Sequence, residues 1–261
     1  MNFIQSIILG VVEGLTEFLP ISSTFHLIVT SRLLSLPSSD FIKLFEVVIQ
    51  SGAIFALVFL YLKTLFQDKK LLMNVIYSFI PTGLVAFSLH NVIKTVFFEN
   101  NLLMLTMFVL VGIVFLVLER YLHGSATHLS KTCVSMSSKQ AILIGFAQAC
   151  AIVPGVSRSG SIIVVMMIMG YKRDESAKYT FLLSLPTIFA ASTLDLFQSR
   201  AILTSMTDGW LLIVVGFIIS LVVAYLVVKW FIHYLGTHTL AIFGWYRLVA
   251  AALLILFRVL P

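Results

Sequence analysis

Apolar residues run through the chain in stretches of about 20, the length a helix needs to cross a hydrocarbon core of about 30 Å. Segments 45–62, 72–90, 102–120, 176–196, 210–229 and 240–258 fit that pattern and predict six transmembrane helices. Regions 1–36 and 139–170 are equally apolar, but polar centres containing proline interrupt them: GVVEGLTEFLPISSTFHL at 10–27 and AIVPGVSRSGSII at 151–163. Irregular backbone at membrane depth is tolerated only inside protein or along a wet cavity. Each broken region therefore reads as a re-entrant helix-loop-helix hairpin. The fold class is all-α, a polytopic membrane protein with one integral domain spanning 1–261.

Composition supports this reading. The 261 residues are 60% hydrophobic and only 11% charged, with a mean hydropathy of +1.07. Soluble chains carry about a quarter charged residues, so a soluble domain is excluded. The opening MNFIQSIILG has no basic residue and reads as mature sequence rather than a signal peptide. Cys133 and Cys150 match no metal-ligand spacing and read as apolar fillers. The net charge of +6 is scattered over short loops, not gathered in a stripe with aromatics, so no nucleic-acid partner is expected.

Shifting the chain by 135 residues lays Gly10 on Gly145, Glu13 on Gln148, Ser22 on Ser157 and Thr24 on Ser159, with Pro20 beside Pro154–Gly155. This predicts two repeats, about 1–120 and 139–261. Each is a hairpin followed by three spans, and an odd number of spans makes the repeats inverted. Lys63, Lys69, Lys70, Arg120, Lys131, Lys139, Lys172, Arg173 and Lys178 fall on one side; Arg32, Lys43, Lys94, Arg200 and Arg258 fall on the other. The positive-inside rule then puts both termini outside.

The candidate chemistry sits at the two breaks. Glu13 and Glu17, four apart, share a helix face. Two carboxylates in a low dielectric need a divalent cation or an arginine. Pro20 ends that helix, and Ser22, Ser23 and Thr24 open another, with His26 one turn on. In the second break Gly155 permits close backbone approach, and Ser157, Arg158, Ser159 and Ser161 present hydroxyls and a guanidinium at a fresh helix start. Helix N-termini bind anions, and arginine's fork suits phosphate. Taken singly, these residues have structural explanations: an ion pair between the repeats, helix caps, a hydrogen-bonded core histidine. Their joint occurrence at two related breaks favours a site. Glu46, Gln50 and Asp195 stand as supporting partners, whereas His90, His123, His128, His233 and His238 lie near span ends or in loops.

EGLTEFLPISST followed by His26, PGVSRSGS, FEVVIQSGAI (45–54) and YTFLLSLPTIFAASTLDL (179–196) together resemble the bacitracin-resistance type of undecaprenyl-diphosphate phosphatase, and the likeness covers essentially the whole chain. The chain departs from the usual family pattern at Phe25, where glycine is common, and near Ser161, where threonine is. The resemblance implies hydrolysis of undecaprenyl diphosphate to undecaprenyl phosphate and inorganic phosphate. That reaction recycles the lipid carrier for cell-wall synthesis and confers bacitracin resistance.

It further implies a bacterial cytoplasmic (inner) membrane, a site facing the periplasm or outside, and a divalent metal, Mg2+ or Ca2+. Phosphoryl transfer needs charge neutralisation, an in-line nucleophile and help for the leaving group. On this expectation Glu13 and Glu17 hold the metal, and Ser22, Thr24, Gly155, Ser157, Arg158, Ser159 and Ser161 bind the diphosphate. Ser23 is the expected nucleophile and His26 its general base or acid; attack by His26 or by water is left open. Catalysis then rests on Ser23, His26, Glu17 and Arg158. A homodimer is compatible with the pattern. The competing class is a polyprenyl-phosphate transporter or flippase, since inverted repeats and midplane sites also serve alternating access. An intramembrane protease is disfavoured, and the phosphatase pattern KxxxxxxRP with PSGH has no match.

Overall fold

A computed structural model describes residues 1–37, 39–89, 100–123, 129–199 and 209–259. Expectations placed on His90, Lys94, His128 and Arg200 fall outside these residues, as does the side chain of His123. The described residues form ten α-helices: α1 (Phe3–Thr16), α2 (Ser23–Leu33), α3 (Asp40–Gln67), α4 (Lys69–Ser88), α5 (Asn101–His123), α6 (Ser138–Cys150), α7 (Arg158–Ile168), α8 (Arg173–Gln198), α9 (Trp210–Thr237) and α10 (Ala241–Leu256). The protein is all-α and multi-pass.

Five helices, α3, α4, α5, α8 and α9, are long and apolar enough to cross a membrane. The expected sixth span, α10, has 16 residues, about 24 Å of helix. Its start is set by Glu119, whose carboxylate accepts the Leu240 amide at 2.8 Å and also pairs with Arg173. The two broken regions are helical hairpins, α1–α2 and α6–α7, as expected. Their arms are 11 to 14 residues long, or about 16–21 Å, so no single arm crosses the bilayer.

Local chemistry sets the ends. Asn2 with Gln5 and Ser137 with Gln140 form capping boxes that open α1 and α6. These satisfy amides that a helix start leaves unpaired. Asp68 closes α3 and caps α4, accepting from the Leu71 amide at 3.0 Å. The free thiols of Cys133 and Cys150 form no disulfide. Burial, and then the neighbouring Glu175 carboxylate, push the Cys133 thiol up, which suits an inert filler.

The halves use corresponding contacts. The α1 helix packs on α9 as α6 packs on α4, while α3 meets α8 and α5 meets α10. Backbones touch at Gly10, where a Cβ would lie 2.7 Å from the Gly216 oxygen, and at Gly145, where it would lie 2.2 Å from that of Ser78. Both hairpin turns carry a serine in the left-handed region, Ser22 at φ 69° and Ser157 at φ 75°. Aromatic residues, among them Phe18, Phe115, Tyr179, Phe181 and Phe231, fill the interior between the hairpins and spans. Exposed Phe59, Phe66, Phe87 and Phe257 give the outer surface a lipid-facing character.

Candidate active site

The two hairpin tips meet in the interior. They enclose a cavity of about 190 Å³ lined by Glu17, Ser22, Ser23, Thr24, Pro154, Gly155, Ser157 and Arg158, with Gln50, Thr187, Ile188 and Ala191 from the flanking spans. A larger, more open hollow of about 610 Å³ lies where α4 and α6 begin, lined by Lys69, Lys70, Asn74, Tyr77 and Ser135–Ser138 among others. It contains no carboxylate and none of the candidate catalytic residues.

Glu17 lines the smaller cavity and bonds to residues of both tips. It is 6% exposed, and its two oxygens are shared between the two hairpins. Ser23 Oγ donates to Oε2 at 2.5 Å, and Arg158 Nη2 donates to Oε1. A residue of the first tip therefore links the hydroxyl of its own tip to the guanidinium of the second. Arg158 Nε is buried without a partner, an unused donor on a cation beside a polar cavity. An anion would satisfy it.

The helix starts differ. Ser22, the N-cap of α2, makes no side-chain capping bond, so its hydroxyl leaves the first-turn amides of α2 uncapped. Ser157 caps α7 by accepting from the Gly160 amide at 3.3 Å. Strain from left-handed serines costs about 1–3 kcal/mol each and persists only when the surroundings impose it.

The remaining expected residues sort by position. Glu13 lies outside the cavity lining; it is fully buried and neither oxygen has a hydrogen-bond partner. Among the described residues no group of three His, Cys, Asp or Glu side chains is arranged for a metal. The carboxylate pair nonetheless fits a hard divalent cation, which binds oxygen donors and completes its coordination with substrate phosphates and water. An orphaned, fully buried carboxylate is what such an ion would satisfy.

His26 is not joined to Ser23. Its Nδ1 bonds to the Ser22 carbonyl at 2.8 Å and its Nε2 to the Tyr246 hydroxyl at 2.6 Å. The group touching Ser23 is Glu17, where the sequence suggested His26. Ser159 and Ser161 face protein rather than the cavity: Ser159 donates to the Leu19 carbonyl at 3.0 Å, joining the tips, and Ser161 donates to the Ser157 carbonyl at 3.1 Å. Phe25, at the departure from the family pattern, stacks on Phe108 with ring centres 3.9 Å apart. Glu46 accepts from Ser31 at 3.3 Å, and Gln50 reaches the cavity as a supporting residue.

Sequence reasoning passed over Thr187, Tyr246 and Arg247. Thr187 lines the cavity and bonds to Gln148. Arg247 is wholly buried. The signal for it was present: an arginine in the middle of an apolar span is costly and rarely idle.

The family model described as bacitracin resistance protein BacA matches residues 6–253. An undecaprenyl-diphosphatase of Aquifex aeolicus is 41% identical over 250 residues, covering 94% of each chain. One from Sulfurihydrogenibium is 38% identical, covering 97% of this chain and 98% of its own. One from Campylobacter fetus is 38% identical, covering 98% and 99%. Matched by that family model and by these relatives along nearly its whole length, the chain belongs to the bacitracin resistance protein BacA family.

Proposed function

We propose that this protein hydrolyses undecaprenyl diphosphate to undecaprenyl phosphate and inorganic phosphate, recycling the carrier lipid and conferring bacitracin resistance. The observation that carries the reading is the Ser23–Glu17–Arg158 chain: a hydroxyl held by a carboxylate that is held by a guanidinium, whose remaining Nε faces no partner. The relatives' name, undecaprenyl-diphosphatase, supplies the substrate.

In this mechanism the diphosphate enters between the tips and draws Arg158 onto its oxygens, with the uncapped amides of α2 as further donors. Glu17, released from Arg158, receives the Ser23 proton as Oγ attacks the terminal phosphorus. The bond to the bridging oxygen breaks, and undecaprenyl phosphate leaves. Water then cleaves the phosphoserine to release inorganic phosphate. His26 is the second acid-base group and serves the leaving oxygen or the water, after parting from Tyr246. Glu13 and Glu17 would hold Mg2+ or Ca2+, which when bound offsets the diphosphate charge.

The paired helix contacts and the paired left-handed serines support an inverted repeat of about 1–120 and 139–261. The loop charges support a bacterial inner-membrane orientation with the site toward the periplasm. The site is built within one chain, so a homodimer is allowed but not needed.

The paired halves also favour a second reading, a polyprenyl-phosphate flippase using the same cavity. Phosphate release from a polyprenyl diphosphate by purified protein, with EDTA and with added Mg2+ or Ca2+, separates the two. Metal-dependent release is expected. A folded protein that releases none but moves polyprenyl phosphate across liposomes would replace the enzyme with the flippase.

A further inference from the structure

Arg247, on α10, has no part in the chemistry above, yet it is the largest fully buried side chain among the described residues. Its charge meets carbonyl oxygens rather than a carboxylate. Nε donates to Pro20 at 3.0 Å, Nη1 to Phe108 at 3.1 Å and Gly155 at 3.0 Å, and Nη2 to Val156 at 3.2 Å. The guanidinium also lies over the Phe108 ring, 4.8 Å from its centre, and the Phe115 ring, 5.5 Å away. One fork thus holds the turn of the first hairpin, the turn of the second and the α5 backbone together.

The choice of carbonyls gives the contact its meaning. Pro20 lies two residues before Ser22, and Val156 immediately precedes Ser157, so the fork grips the chain just ahead of both left-handed serines. Carbonyls at a chain break have no helical partner, and at membrane depth no bulk water reaches them. Arg247 satisfies them and fixes the distance between the tips, on which the Ser23–Glu17–Arg158 alignment depends. Gly112 and Gly244 let α5 and α10 approach: a Cβ on Gly112 would lie 3.0 Å from the Arg247 Cβ, and one on Gly244 would lie 2.9 Å from the Gly112 oxygen.

We propose that Arg247 is a positioning residue for phosphoryl transfer: it staples the two hairpin tips so that Ser23 and Arg158 face one substrate phosphate. This rests on the phosphatase reading for its kinetic consequence, but not for its structural one. Lysine cannot span four carbonyls from one point charge, so Arg247→Lys keeps the charge and loses the staple.

The test combines kinetics with a distance. Spin labels are placed on the native, exposed Cys150 and on Leu15→Cys, in a Cys133→Ala background; these positions precede the two tips. Arg247→Lys and Arg247→Met are compared with the parent. The expected result is one narrow inter-label distance in the parent, broadened or shifted in both variants. It is accompanied by a kcat reduced about 10-fold in Arg247→Lys and about 100-fold in Arg247→Met, with KM within about threefold. An unchanged distance distribution overturns the staple, whether or not the rate falls. If the parent releases no phosphate, the phosphatase reading fails while the distances still decide the staple. Arg247→Lys carries the test if Arg247→Met does not fold.

Discussion

Where the second hairpin has Gln148, the first has Glu13, and their surroundings treat them differently. Gln148 Nε2 donates to Thr82 at 2.8 Å and to Thr187 at 3.1 Å. Thr82 in turn donates to the Gly145 carbonyl at 2.9 Å, completing the seam between α6 and α4. The matching seam joins α1 to α9, where Gly14 closes on Ser220: a Cβ there would be 2.7 Å from the Ser220 oxygen. In this seam the Ser220 hydroxyl and both Glu13 oxygens are buried without hydrogen-bond partners. One half has satisfied its polar seam and the other has left it open. Leaving buried groups unpaired costs about 1–3 kcal/mol each, more when charged, so the open seam is the costlier of the two.

The tips divide labour in the same way. Moving 135 residues along places Ser23 on Arg158 and His26 on Ser161. On the proposed mechanism the first tip holds the attacking hydroxyl and the carboxylates, the second the cation. Neither is a site alone.

Four substitutions test that division, taken in order of expected loss of rate. Arg158→Met should reduce phosphate release at least about 10³-fold. It should also lower stability by about 3–5 kcal/mol, because it strands Glu17 as a buried charge, as thermal unfolding in detergent would register. Ser23→Ala should cost at least about 10²-fold in kcat with stability within about 1 kcal/mol, since one hydrogen bond is lost. Equal rates for wild type and this variant would remove Ser23 as nucleophile. Glu13→Gln copies the amide of the other half: it should raise stability by about 1–3 kcal/mol while lowering the rate about 10-fold and weakening the response to Mg2+ titration. Gln148→Met, which removes the amide from the second half, should leave the rate within about threefold and cost about 1–3 kcal/mol. A larger kinetic loss from Gln148→Met than from Glu13→Gln would reverse the assignment of the two halves.

The hairpins, the long spans and the identity of the tip residues were legible in the sequence because they leave one-dimensional marks: apolar runs of bilayer length, a proline in each break and a 135-residue repeat. Pairings across the fold were not. Ser23 and His26 are one turn apart on α2, which suggested a couple. The left-handed turn at Ser22 instead aims Ser23 at Glu17 and leaves His26 to Tyr246, a residue 220 positions away. Arg247 stands out in the sequence only as a charge within an apolar span; its carbonyl partners follow from where α10 packs. Ser159 and Ser161 looked like ligands by type and proved to be bonded to backbone, a use that sequence alone does not distinguish from anion binding.

The most direct measurement of the central claim, a single site composed of both tips, is a double-mutant cycle on kcat/KM with Ser23→Ala, Arg158→Lys and the double variant. Residues acting on one phosphate in one step are strongly non-additive. The account predicts a combined loss no greater than about the larger single loss. Losses that multiply would contradict it and place Ser23 and Arg158 in independent sites.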